Sequence, residues 1–192
     1  MKFLAIFTLL AAGLASAQIP GTEDKNPQNH GNLGIFLDYT RLSTQGTSAN
    51  MLGFGGRIGF NVQRHIVLEA EMAYDFSRSV TNTITAGGVT SSKTADVKLL
   101  TGLFGPKIQT TGKTRFFGVV KGGFVNFGVS GPGPVGSVNN QLGNLVNGST
   151  SAVLYPGGGV EFQWSPKLGL RAEIGDEIMM LSTTQNNVRA AV

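Results

Sequence analysis

Six charged side chains hold whatever chemistry this sequence could do: Arg57, Glu69, Glu71, Glu161, Arg171 and Glu173. Glu69 and Glu71 stand two apart in "LEAEMAYDF", Leu68 to Phe76. On a strand that spacing puts both carboxyls on one face, roughly 6 to 7 Å apart, which suits the acid and base of a glycosidase. On a helix, at about 100° per residue, they would lie on nearly opposite sides. The competing use is an internal salt-bridge network in which Arg57 and Arg171 neutralise the glutamates. A narrow barrel interior is filled by side chains and leaves little room for a sugar, so the network is expected and no catalytic residue is assigned.

Other candidate chemistry is thin. Only two histidines occur, His30 in a polar stretch and His65 in a short turn, and neither belongs to a metal-ligand cluster or stands near a plausible nucleophile. Gly112-Lys113-Thr114 has the ending of a phosphate loop, but the upstream glycine position holds Lys107 and no helix follows, so it reads as a hairpin turn. No cofactor or metal is expected.

The elements that position these residues are strands. Alternation with a period of two marks Gly34 to Leu42, Met51 to Val62, Ile66 to Phe76, Ala95 to Ile108, Thr114 to Gly128, Ser151 to Trp164 and Leu168 to Met180, with a short eighth from Asn187 to Val192. Leu52, Phe54, Ile58 and Phe60 share one face, and Gly53, Gly55, Arg57 and Gly59 the other. Links alternate in length. Gln63 to His65, Gln109 to Lys113 and Ser165 to Lys167 are short, whereas Ser43 to Asn50, Ser77 to Thr94 and Val129 to Thr150 are longer and rich in Ser, Thr, Asn and Gly. One end therefore carries tight turns and the other loops.

The first 17 residues have Lys2, an apolar run from Phe3 to Leu14 and the small-residue ending Ala15-Ser16-Ala17, the layout of a secretory signal peptide cut after Ala17. Residues 18–33, broken by Pro20 and Pro27, read as a flexible periplasmic leader, and 34–192 as one barrel domain. No cysteine is present, so an exported chain must be held by packing and hydrogen bonds. The 28 glycines suit a tightly curved sheet, and the basic residues, though they give a net charge of +4, are scattered and form no nucleic-acid patch.

A closed meander with one apolar and one polar face has two solutions. An inward apolar face makes a soluble lipocalin-like barrel with a greasy pocket; an outward one makes a barrel immersed in lipid. Charged residues are only 14% of the chain, poor for a soluble surface. Aromatics fall at two levels: Phe60, Phe116, Phe162 and Trp164 near the tight turns, Tyr39, Tyr74 and Phe76 near the loops. The expectation is an all-β, eight-stranded antiparallel up-and-down transmembrane β-barrel with a short last strand.

With its signal peptide, strand pattern, and the runs "GLFGPKI" (Gly102 to Ile108) and "GGGVEFQWSPKLGLRAEIGDEI" (Gly157 to Ile178), the chain resembles the small eight-stranded outer-membrane barrels of the OmpA-transmembrane-domain, OmpX and opacity-protein type. The resemblance implies a Gram-negative outer membrane, periplasmic termini and external loops. It also implies contact with outer-membrane lipid and lipopolysaccharide, insertion by the outer-membrane machinery, a monomer, and a non-enzymatic role in envelope structure or surface interaction. One departure stands out: members end on a full strand with a terminal aromatic, whereas "NNVRAAV" gives about six residues, roughly 20 Å of strand. Lipid-modifying barrels of this size use a serine and a histidine at the external rim, where no histidine is expected.

Overall fold

The structure, a computed structural model, describes residues 16–18, 31–44, 47–86, 89–130, 149–165, 168–181 and 184–192. Among the described residues nine strands form one antiparallel sheet: β1 (Ser16–Gln18), β2 (Gly31–Thr44), β3 (Thr47–Gln63), β4 (Ile66–Ala86), β5 (Val89–Gln109), β6 (Thr114–Ser130), β7 (Thr150–Ser165), β8 (Leu168–Met180) and β9 (Thr184–Ala191). Consecutive strands pair in order, and β9 returns to pair with β2 from Val188↔Arg41 to Ala191↔Asp38. Eight strands, β2 to β9, thus close a barrel. β1 pairs with both β2 and β8 at the tight-turn end.

Closure follows from the backbone. Each strand from β3 to β8 pairs with both of its sequence neighbours, and β2 and β9 close the ring over Asp38 to Arg41, which satisfies most N–H and C=O groups of the wall without water. Tight turns help at one end: Gly112 has φ of 119°, a left-handed conformation that favours glycine, and its carbonyl accepts a hydrogen bond from Arg115 Nε at 3.2 Å.

The side-chain alternation sorts the two faces. Met72 is 55% exposed, Phe162 46% and Trp164 81%, while Glu69 is fully buried. Apolar side chains cover the outside and charged ones the inside, the arrangement of a barrel built for lipid and the reverse of a lipocalin. The aromatics Phe60, Phe116, Phe162 and Trp164 and, at the other level, Tyr74 and Phe76 all point outward and are exposed.

The interior is not uniformly polar. At the loop end Leu42, Met51, Val97, Leu99, Val125, Phe127, Val153 and Met179 pack into a buried apolar cluster drawn from six strands. Below it lie the ionised groups.

Several boundaries differ from those expected. Ser77 to Thr94 is not a loop: β4 and β5 stay paired from Arg78↔Val97 to Ala86↔Val89, leaving 87–88 outside the described residues. The β-branched run Val80, Thr81, Thr83, Ile84 and Thr85 favours an extended backbone despite its polarity. Gly31 to Leu33 of the expected leader belong to β2, β9 begins at Thr184 rather than Asn187, and β1 spans the expected cut after Ala17. Of the long link Val129 to Thr150, residues 131–148 lie outside the described residues.

Candidate functional site: the ionic cluster inside the barrel

Adjacent strands assemble the cluster row by row. Arg57 of β3 is opposite Glu71 of β4, and Glu161 of β7 is opposite Arg171 of β8, so opposed charges sit on neighbouring strands and face inward together. Small inward residues leave the space. A Cβ at Gly55 would lie 2.3 Å from the Phe36 ring, and one at Gly175 would lie 2.7 Å from that of Tyr155.

Glu69 receives Arg171 on both oxygens, Nη1 at 2.6 Å and Nη2 at 3.0 Å, and has Lys107 Nζ at 3.1 Å and Lys121 Nζ at 3.4 Å. Glu71 accepts from Arg57 Nε at 2.8 Å, Lys121 Nζ at 2.7 Å and Arg189 Nη1 at 2.7 Å. Glu173 accepts from Arg57 Nη2 at 3.2 Å, from Lys121 Nζ at 3.1 Å and from Arg171 Nη2. Glu161 sits at the edge, with Lys107 Nζ at 3.1 Å and Arg115 Nη1 at 3.8 Å. Arg189 extends the cluster toward the loop end, its Nε donating to both oxygens of Asp38 at 2.9 and 3.0 Å.

Aromatic rings wall the cations. The Arg171 guanidinium lies 4.0 Å from the Phe117 ring centre, Arg57 lies 4.8 Å from that of Phe36, and Arg189 lies 5.3 Å from that of Tyr155. Each of Glu69, Glu71 and Glu173 touches three or more cations, so removing one carboxylate would leave several buried charges unpaired.

The structure therefore brings Arg57, Glu69, Glu71, Arg171 and Glu173 into one contact set and places Glu161 at its tight-turn edge. Asp38, Lys107, Lys121 and Arg189 join them, four residues that the sequence reading left out. Parity would have found them: Lys121 is on the same face as Phe117 and Val119, and Lys107 on that of Leu103 and Thr101, all buried.

What this arrangement can do chemically is limited by access. A cavity of about 20 Å³ opens at the tight-turn mouth, lined by Asn32, Gly34, Arg57, Lys107, Glu161, Gly169 and Arg171. That holds a water or two and no sugar ring. Glu69 and Glu71 are each bracketed by cations, and neither lines this cavity. Exposed His65 lies with Nδ1 3.0 Å from the Gln109 carbonyl oxygen in the turn, and His30 lies outside the described residues. Among the described residues no group of three or more His, Cys, Asp or Glu is arranged to hold a metal ion.

No protein-family model matches the chain, and no curated protein matches it in sequence. Solved structures do. The attachment invasion locus protein Ail of Yersinia pestis, crystallised in complex with the heparin analogue sucrose octasulfate, is 13% identical, with a TM-score of 0.56 over 85% of this chain and 95% of that one. A second crystal structure of Ail gives 0.53, again at 13% identity, over 85% and 93%. At this identity the likeness is one of fold, and the fold of this chain is that of the small eight-stranded outer-membrane β-barrels.

Proposed function

We propose that the protein is a non-enzymatic, monomeric outer-membrane barrel, exported by its signal peptide, with a side-chain-filled lumen that serves as structure and a projecting β-ribbon that meets partners at the cell surface. The observation that carries the location is the sidedness of the wall, with Met72, Phe162 and Trp164 outside and Glu69 buried. Such an outer face is stable against outer-membrane lipid and lipopolysaccharide and unstable in water.

The ribbon carries the surface reading. β4 last pairs with β3 at Asp75↔Gly53, and β5 last pairs with β6 at Asp96↔Ser130, yet β4 and β5 continue together to Ala86↔Val89. Beyond both of these last pairings seven residues per strand, Val80 to Ala86 and Val89 to Ala95, stay paired with each other over roughly 23 Å. With the tight turns in the periplasm, this ribbon stands outside. The ionic cluster of Arg57, Glu69, Glu71, Glu161, Arg171 and Glu173 serves to lock the strands together.

Boiled and unboiled outer-membrane fractions from expressing cells test the location by gel migration: a folded barrel shifts on boiling. A protein recovered folded and monomeric in detergent-free buffer would instead be a secreted carrier. Attachment of cells bearing the full ribbon, compared with cells in which residues 79–94 are replaced by a two-glycine turn, tests the surface role; equal attachment refutes it. Altered lipid A on overexpression would refute the non-enzymatic reading.

A further inference from the structure

The sign of exposed charge separates the two rims of the barrel. Among the described residues, Asp38, Glu69, Glu71, Asp75, Glu173 and Glu177 are buried, and Glu161 turns inward to Lys107 Nζ at 3.1 Å. The other two described acids, Asp96 and Asp176, lie toward the loop end with basic residues near them: Asp176 is opposite Val188 of β9, which is opposite Arg41 of β2. That rim is mixed. The tight-turn rim carries no exposed carboxylate among the described residues, yet Arg64, His65 and Lys113 are exposed there and Arg115 is half-exposed.

Backbone hydrogen bonds hold these residues as one arc. The Gln109 N–H donates to the His65 carbonyl at 2.9 Å, and His65 Nδ1 lies 3.0 Å from the Gln109 carbonyl oxygen, so the β3–β4 turn is tied to the β5–β6 turn. The Gln163 N–H donates to the Lys113 carbonyl at 2.7 Å, which ties the β5–β6 turn to the end of β7. Arg115 Nε is anchored on the Gly112 carbonyl at 3.2 Å. Two strand spacings, about 10 Å, separate the two turns, which is about one Debye length at moderate salt, so their fields overlap. Next to the charges the outer wall becomes apolar and aromatic, with Phe60, Ile108, Phe116 and Trp164 exposed. Phe116 belongs to the same turn as the charges, its N–H donating to Thr110 Oγ1 at 2.9 Å. Rings followed by cations is the order that a bilayer interface demands, rings at the headgroup level and cations at the phosphates.

We propose that this arc is a docking surface for the phosphate groups of anionic phospholipid in the leaflet on the tight-turn side, and that Arg64, Lys113 and Arg115 enrich such lipid beside the barrel. The proposal rests on the membrane reading above and names the lipid that one rim prefers. Charge complementarity selects the occupant. Lipid phosphate is the anion that a barrel in a bilayer meets at this level, and it needs no pocket, only cations held at the headgroup plane.

Trp164, the only tryptophan of the chain, stands beside the arc and reports on it. The full chain is refolded into phosphatidylcholine vesicles holding a minor fraction of phosphatidylglycerol, with bromine placed on the acyl chains of one lipid or the other to quench Trp164 fluorescence. Mole for mole, brominated phosphatidylglycerol is expected to quench at least about twofold more than brominated phosphatidylcholine at low salt. The excess should fall toward parity at about 1 M salt, where the Debye length is about 3 Å, and in the double variant Arg64→Gln, Lys113→Gln. Equal quenching at low salt overturns the proposal and leaves the barrel in the bilayer. An excess that survives both salt and the double substitution belongs to other groups and overturns it as well. The salt arm uses the unsubstituted chain, so it decides even if the variant does not refold. Quenching by neither lipid takes the barrel out of the bilayer and overturns the membrane reading together with the proposal.

Discussion

The barrel interior is filled in two ways. Through its middle and toward the tight turns it is ionic, with Glu69, Glu71 and Glu173 each shared among several cations. At the loop end it is apolar, with Leu99, Phe127, Val153 and Met179 buried against one another. The outer face of the barrel wall shows no such division into ionic and apolar zones, because lipid tolerates only apolar groups there. Inside there is no solvent to satisfy. The requirement is that volume be filled and charge be balanced, and paired ions or packed hydrocarbon meet it equally well. Inner composition is thus free to change along the axis where outer composition is not.

The two fillings should fail differently. Glu69→Gln keeps shape and removes charge, leaving Lys107, Lys121 and Arg171 short of a counterion; a loss of about 3–5 kcal/mol is expected in urea unfolding from detergent micelles. Leu99→Ala removes volume and no charge, and should cost about 2–5 kcal/mol depending on how far Phe127 and Val97 relax into the space. The comparison breaks if Glu69→Gln costs under about 1 kcal/mol, since the ionic region would then be solvated rather than packed.

A third change probes the wall between these fillings and lipid. Val120 is 54% exposed, points outward in β6 and is opposite Pro156 of β7. Val120→Arg should cost about 2–4 kcal/mol when the barrel is in a bilayer and much less in water-rich micelles, a difference measurable by refolding into vesicles. Equal cost in both would mean that this face does not meet hydrocarbon.

The wall was the legible part of the sequence, because a period of two sets the side of every residue in a strand once one residue is placed. Leu68 to Phe76 already separates Glu69 and Glu71 from Met72 and Tyr74, and the structure keeps that division. The contact partners were less legible. Lys121 stands among valines and phenylalanines and Arg189 in the short last strand, and alternation fixes the face of each but not which of eight strands supplies the opposite charge. Charge-to-charge contacts such as Arg189 to Glu71 join residues 118 apart in sequence. The β4 and β5 ribbon was hidden for another reason: its sequence from Val80 to Ala95 carries no hydrophobic alternation, so only β-branched propensity marks it as extended.

The smallest effect is expected where the ribbon leaves the barrel. Ser79 Oγ donates to Asp96 Oδ1 at 2.6 Å, a good hydrogen bond by geometry, between residues paired across the two strands. It is exposed, so water replaces the lost partner on either side, and Ser79→Ala should change unfolding by no more than about 0.5 kcal/mol. The same deletion of one polar contact inside the cluster strands a charge that water cannot reach. Amide exchange should separate the two even where global unfolding does not: the ribbon opens locally, so Ser79→Ala should raise exchange from Arg78 to Ala86 and leave Glu69 to Ala73 unchanged. Faster exchange at Glu71 in that variant would show that the ribbon and the barrel open as one unit, and would erase the boundary that the pairing places at Asp75.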